Sequence, residues 1–321
     1  MLKKMSIKKI VISLSAFFTL FLIYLIPTSN NKELIPTNEG VEYIDSNAVT
    51  STIYLLDSYS YLGKAEVVVN NKDNVEEKCK ELINVLINGG VGEDRIPNGF
   101  RSILPSDTKI NSLSFQDGLV KINFSKELLN ISVDLEEKMV EAIVYTLTSI
   151  GDVKSIIIYV DGEILTKLPQ TGKNLPSTLD RNFGINKEYD LTSMKDIEQV
   201  TVYYVNKYND NYYYVPVTKY LNDDRDKIKI IVSELSSSPI YSNNLMSFLN
   251  YNTKLLSVDQ KDDTMNLEFN SYIFDNYDEK SILEEVIHTI SLSVADNYDV
   301  KEVVFSVNEE EIYKSVLKSI E

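Results

Sequence analysis

The side chains able to carry chemistry are few in kind. In 321 residues there is one histidine, His288, and one cysteine, Cys79. A lone imidazole can act as a general base near neutral pH. A lone thiol can act as a nucleophile where its surroundings are exposed and electropositive. With one of each, neither a His-rich nor a Cys-rich zinc site can be assembled, and one cysteine cannot form an intrachain disulfide. Carboxylates are plentiful: 48 Asp+Glu stand against 32 Lys+Arg, for a formal net charge of −16. Two of them flanking a cleft could hydrolyse a glycosidic bond, and a cluster could hold calcium. The clusters are Asn222, Asp223 and Asp224, and then Asp259, Asp262 and Asp263. Neither has the twelve-residue loop with a central glycine and a closing glutamate, so solvated loops are the simpler reading. No motif singles out a carboxylate pair. The chain has no Trp, which weakens a sugar-stacking groove, although its 21 Tyr could substitute. Nucleic acid is excluded as a partner, because phosphate binding needs a basic face. No catalytic, cofactor or metal residue is expected.

The elements that position these groups explain their roles. Cys79 falls on a stripe with Val75, Leu82, Ile83 and Leu86, one face of a helix over about 74–88. Asp73 is the expected N-cap, and Gly89-Gly90 the stop. Glu76, Glu77 and Glu81 surround the thiol with negative charge, so a core role is expected for it. His288 lies on a helix whose apolar stripe is Leu283, Val286, Ile287, Ile290 and Val294. It sits about 100° beyond Ile287, off the stripe, so a boundary or surface position is expected. Around the first helix, short strands read at 52–56 and 66–69. A hairpin follows over 108–115 and 119–124, with Gln116-Asp117-Gly118 at its tip. A second helix over 134–150 carries Leu135, Met139, Ala142, Ile143 and Leu147 on one stripe. Strands at 155–160 and 163–165 turn at Asp161-Gly162. The order β-β-α-β-β-α-β-β implies an α+β module, a largely antiparallel sheet with two helices on one face.

This module occurs twice. Lys109 to Asp117 match Lys254 to Asp262 at an offset of 145, and Leu82, Ile83 and Leu86 match Ile231, Val232 and Leu235 at 149. Ile143, Val144 and Thr146 match Val286, Ile287 and Thr289 at 143, which sets His288 against Tyr145. Val153-Lys154 match Val300-Lys301 at 147. The copies span 52–168 and 200–317. Between them, 169–199 holds Pro169, Gly172, Pro176 and Gly184 and reads as a linker with a short ordered patch around Phe183. At the start of the second copy, Tyr203, Tyr204, Tyr208, Tyr212, Tyr213, Tyr214 and Tyr220 crowd together. Alternation sends some into the core and leaves others to a partner surface.

The first residues have another character. Lys3, Lys4, Lys8 and Lys9 precede an uncharged run over 10–26, the pattern of a membrane anchor or secretory signal. The run is at the short end of what spans a core of about 30 Å. Without an A-x-A-like cleavage site, an uncleaved anchor over 1–27 is the favoured reading. The lysines keep the N-terminus in the cytoplasm and place the C-terminal part outside. Residues 28–51 read as a flexible spacer. Without the four lysines, 28 basic residues face 48 acidic ones, about −20 for the exported part.

The first copy resembles the GerM (sporulation and spore germination) domain family. The resemblance rests on Leu86-Ile87-Asn88-Gly89, Ser102-Ile103-Leu104-Pro105 with Thr108-Lys109-Ile110, Asp117 through Ser125, Val144-Tyr145-Thr146-Leu147-Thr148, and Val153 through Gly162. The second copy is divergent. It keeps Thr253-Lys254, Asn266 to Asn270 and His288-Thr289, has Ser238-Pro239 in place of Gly89-Gly90, and has Asn308-Glu309 in place of the closing Asp161-Gly162. The resemblance implies a fold like the ring-building motifs of secretion and sporulation channels, with no catalytic residues attributed to it. It implies a non-enzymatic envelope protein of spore formation and germination, whose partners are the membrane, envelope or sporulation proteins, and peptidoglycan. Well-known members of the family are lipoproteins. Here no cysteine follows the apolar run, so a protein anchor would replace the lipid. The alternative is a cell-wall hydrolase, or an accessory or binding module using carboxylates.

Overall fold

The computed structural model describes residues 49–70, 74–237 and 244–317. The anchor over 1–27, most of the spacer, the Asp73 cap and Ser238-Pro239 lie outside the described residues. Among the described residues no helix is long and apolar enough to cross a membrane.

The first module opens with a hairpin of β1 (Val49–Asp57) and β2 (Leu62–Val69), so regular structure begins inside the stretch read as spacer. Helix α1 (Val75–Leu86) follows. Its N-cap is Asn74, whose side chain accepts the Glu77 N–H at 3.2 Å. A short β3 (Phe100–Arg101) pairs with the end of β1. Then come β4 (Ile110–Gln116), β5 (Leu119–Phe124), α2 (Glu136–Leu147), β6 (Ser155–Val160) and β7 (Glu163–Ile164). A connecting segment contains β8 (Glu188–Asp190). The second module repeats the order with β9 (Glu198–Tyr208), β10 (Asn211–Leu221), α3 (Lys227–Ser237), β11 (Leu255–Lys261), β12 (Thr264–Phe269), α4 (Glu284–Asn297), β13 (Glu302–Val307) and β14 (Glu310–Val316).

The α+β class and the two repeated modules are present, but the strands of each module divide between two sheets. In module 1, β4-β5-β6-β7 form a four-stranded sheet, and in module 2, β11-β12-β13-β14 do. The outer pairs are antiparallel. The central pairs β5–β6 and β12–β13 are parallel, as a strand–helix–strand crossover requires. The opening hairpins of the two modules join in a separate six-stranded sheet, where β2 meets β10 antiparallel at Lys64 and Tyr214. The helices therefore lie between layers. Helix α2 touches β1 on one side and β6 on the other. It is buried from Met139 through Leu147 and at Glu136, well beyond the predicted stripe. A helix covered nearly all round needs a layer on each side.

The structure also corrects the register of the repeat. The Tyr54 N–H donates to Thr146 Oγ1 at 3.1 Å, and the Tyr203 N–H donates to Ser293 Oγ at 2.9 Å. Thr146 thus corresponds to Ser293, an offset of 147 that agrees with Val153 and Val300. The sequence match at 143 is one helical turn short. Apolar residues recur about every four positions on a helix face, so either register satisfies the hydrophobic pattern. In the structural register His288 stands where module 1 has Glu141, not Tyr145.

The segment after β7 is packed rather than extended between modules. Leu168, Leu175, Leu179 and Ile185 belong to the apolar core of module 1. Leu179 bridges to Ile156 in both directions, at 2.8 and 2.9 Å. β8 runs parallel to the end of β10.

Candidate functional surface

Cys79 is fully buried, and burial pushes its thiol up to about 12, out of reach as a nucleophile. His288 lies 2.8 Å through Nδ1 from the Tyr214 hydroxyl and 3.7 Å from the Glu284 carboxylate. Burial, then Glu285 and Glu284, push Tyr214 up to about 12, so the pair supplies a hydrogen bond and no ready nucleophile. Each acidic cluster is partly paired with nearby cations. Asp223 binds Arg225 at 2.6 Å, Asp259 binds Lys261 at 2.8 Å, and Asp263 binds Lys301 at 2.7 Å. Asn222 Oδ1 accepts the N–H groups of Thr192 and Ser193. Among the described residues no three His, Cys, Asp or Glu converge to hold a metal.

One open cleft of about 590 Å³, between β8 and α3, holds four carboxylates, Glu188, Asp190, Asp223 and Glu234. The Lys219 ammonium sits between two of these, 2.5 Å from Glu234 and 3.7 Å from Glu188. A glycosidase needs the substrate in that space. Between Glu188 and Glu234 a cation of the protein fills it, an ion-pair triad, and a third carboxylate, Asp223, is held by Arg225. A second open groove, of about 490 Å³, lies beside His288 and is lined by Ile282, Glu284, Ile287, Ile312 and Tyr313.

Of the seven clustered tyrosines, Tyr203, Tyr204 and Tyr213 are buried, and Tyr208, Tyr214 and Tyr220 are half-buried. Tyr212 is exposed, at 45%. The cluster mainly builds the junction of the modules. The Tyr203 hydroxyl meets that of Tyr54, its counterpart in module 1, at 2.9 Å, and donates to Asp296 at 2.9 Å. Arg181 of the connecting segment also binds Asp296 and reaches Thr148 at 3.2 Å and Ser149 at 3.1 Å. Its guanidinium lies 4.8 Å from the Tyr145 ring centre. Partial burial works against its charge, yet Asp296 holds its pKa well above the ordinary value.

Two further hubs went unseen in the sequence. Asp57 accepts the Tyr59 and Tyr61 N–H groups, each at 2.8 Å, the Tyr213 hydroxyl at 2.8 Å and the Asn206 amide at 3.1 Å. Asn186 donates to the Leu62 carbonyl in module 1 and to the Pro216 carbonyl in module 2, at 2.9 and 2.8 Å. Its own N–H donates to the buried Glu141 at 2.9 Å. A lone polar residue ending an apolar run was the available signal for Asp57; Asn186 and Arg181 sit in a stretch without periodicity.

The comparisons agree with this architecture. The family described as Germane, sporulation and spore germination, matches residues 52–166 and 201–313. The spore germination protein GerM of Bacillus subtilis (strain 168) is 34% identical over 271 residues, covering 82% of this chain and 72% of that protein. The solved tandem GerMN domains of the sporulation protein GerM from Bacillus subtilis superpose with a TM-score of 0.77 at 29% identity, covering 85% of this chain and 98% of that one. With both modules matched and the tandem fold shared, the chain belongs to the Germane family of sporulation and spore germination proteins.

Proposed function

We propose that this protein is a non-enzymatic assembly protein of spore formation and germination, held by residues 1–27 in the cell membrane with both modules outside the cytoplasm. The observation that carries the reading is the likeness of the tandem pair to the tandem domains of a sporulation protein over 85% of the chain. The use of side chains fits it. The thiol is core, the imidazole is bonded to a tyrosine, and two of the four carboxylates of the open cleft are bridged by Lys219. What the molecule offers outward is shape: a two-module body with an open groove and exposed tyrosines, the kind of side chain that anchors protein contacts. Two measurements test this. Deleting the gene in its host abolishes or delays spore development, and the purified two-module part leaves peptidoglycan undigested. Robust wall digestion by that part overturns the reading. For the anchor, mass spectrometry of the native N-terminus finds residues 1–27 retained; cleavage near Ser29 refutes it.

A further inference from the structure

The duplication supplies an internal control, because a place filled in one module can be compared with the same place in the other. In module 1 the loop over 166–175 folds back across the start of α2. The Gln170 and Thr171 N–H groups donate to the Glu136 carboxylate at 2.7 and 3.1 Å. Lys173 binds Glu137 at 2.9 Å, and Lys187 binds it at 2.8 Å. Leu168 and Leu175 are buried in the same apolar cluster as Val140, with Leu135 and Leu165 packed against it.

The corresponding place in module 2 is the groove beside His288. At the offset of 147, Ile282, Glu284, Ile287 and His288 replace Leu135, Glu137, Val140 and Glu141. Ile312 and Tyr313 stand where Leu165 and Thr166 leave β7. Leu283, packed against the core of module 2, replaces Glu136. No described residue covers this groove. The Glu284 side chain is 81% exposed against 32% for Glu137, and His288 is 41% exposed against 3% for Glu141. Lys280, on the groove wall, is already bound to Glu310.

We propose that this groove docks a basic, leucine-bearing segment of a partner protein, seated as residues 166–175 seat in module 1. The apolar floor of Ile282, Ile287 and Ile312 takes the leucine, as its counterparts do. Glu284 takes a lysine or arginine, as Glu137 takes two lysines. The acidic balance of the part outside the anchor, 28 basic against 48 acidic residues, favours encounter with a cationic segment. The proposal rests on the assembly reading and narrows it to one surface and one partner chemistry.

The test uses the full chain in its sporulating host, with a photo-crosslinking amino acid at position 313 or, as a control, at exposed Tyr59 of module 1. Sequencing the crosslinked peptide identifies what lies in the groove. The expected result is a peptide of one extracytoplasmic protein containing leucine beside lysine or arginine, from position 313 and not from 59. Glu284→Lys reduces that crosslink by about tenfold or more, since like charges face each other across the interface, and Glu284→Gln reduces it less. Glu284 is exposed, so an unchanged melting curve shows that the variant remains folded. The proposal is overturned if position 313 gives no crosslink, gives the same products as 59, captures a second copy of this chain, or crosslinks equally with Glu284→Lys. Those failures leave the assembly reading to the deletion phenotype and the wall-digestion assay, which do not depend on the groove.

Discussion

Asp57 shows what a single polar side chain contributes when it is buried at a junction. It is fully paired, with four donors drawn from its own turn and from both strands of the β9–β10 hairpin. Asp57→Ala leaves those donors unpaired inside the protein and is expected to cost about 3 kcal/mol, the range for orphaned buried partners of a charged group. Urea unfolding of variant and wild type measures it. Glu141 makes the opposite case. Burial raises its pKa above the ordinary 4.5, although Lys187 and the Asn186 N–H favour its charge. A raised carboxyl pKa means that the native state binds the proton more tightly than the unfolded one. The stability from this group is full below about pH 4.5 and is lost as pH rises through the folded value. Glu141→Gln removes that dependence, so the variant gains on wild type as pH is raised from 4.5 to 7 in a urea series.

Elements were the most legible scale. The stripe of Val75, Cys79, Leu82, Ile83 and Leu86 became α1, and the alternation of Val120, Ile122 and Phe124 became β5 with those residues buried. Local chemistry also sets where α1 begins. Asn74 accepts the Glu77 N–H, and Asn74→Ala is expected to cost about 1 kcal/mol, readable as a lower thermal midpoint of the purified two-module part. Two features at this scale were hidden. The repeat register of α2 and α4 slipped by one turn because apolar residues alone repeat on that spacing. Only the hydrogen bonds from Tyr54 and Tyr203 distinguish 147 from 143. Helix α2 was read as one-sided because its exposed-looking positions, Glu141 and Thr146 among them, are polar. Both find partners inside, Thr146 with Tyr54 and Glu141 with Asn186, so polarity there marks bonding rather than solvent.

At the scale of the molecule, the two modules behave as one body because the connecting segment is built into both. Arg181 touches the residues that end α2, Thr148 and Ser149, and α4 through Asp296, a residue 115 positions away. Since the pair shares Tyr54, Tyr145 and Tyr203 as neighbours, its coupling exceeds that of a surface pair. A double-mutant cycle with Arg181→Ala and Asp296→Ala is expected to return an interaction energy of about 1–3 kcal/mol. Additive effects would show that the pair does not join the modules. The same variants should broaden or split the unfolding transition in calorimetry, as loss of contact between modules lets each melt by itself.

The sequence by itself determined the kind of elements, their order, the duplication and the family, because periodicity, turn residues and repeated motifs are local properties. It also showed that one histidine and one cysteine could not build a His-rich or Cys-rich zinc site or an intrachain disulfide. Only the tertiary structure decided how the strands divide between sheets and how the hairpins of the two modules join. It alone revealed that residues 166–187 are packed structure, and that a groove filled in module 1 is left uncovered in module 2 by the described residues. These depend on contacts between residues far apart in the chain, such as Arg181 with Asp296 and Asn186 with Leu62 and Pro216, and no local pattern encodes which distant partner a polar side chain will meet.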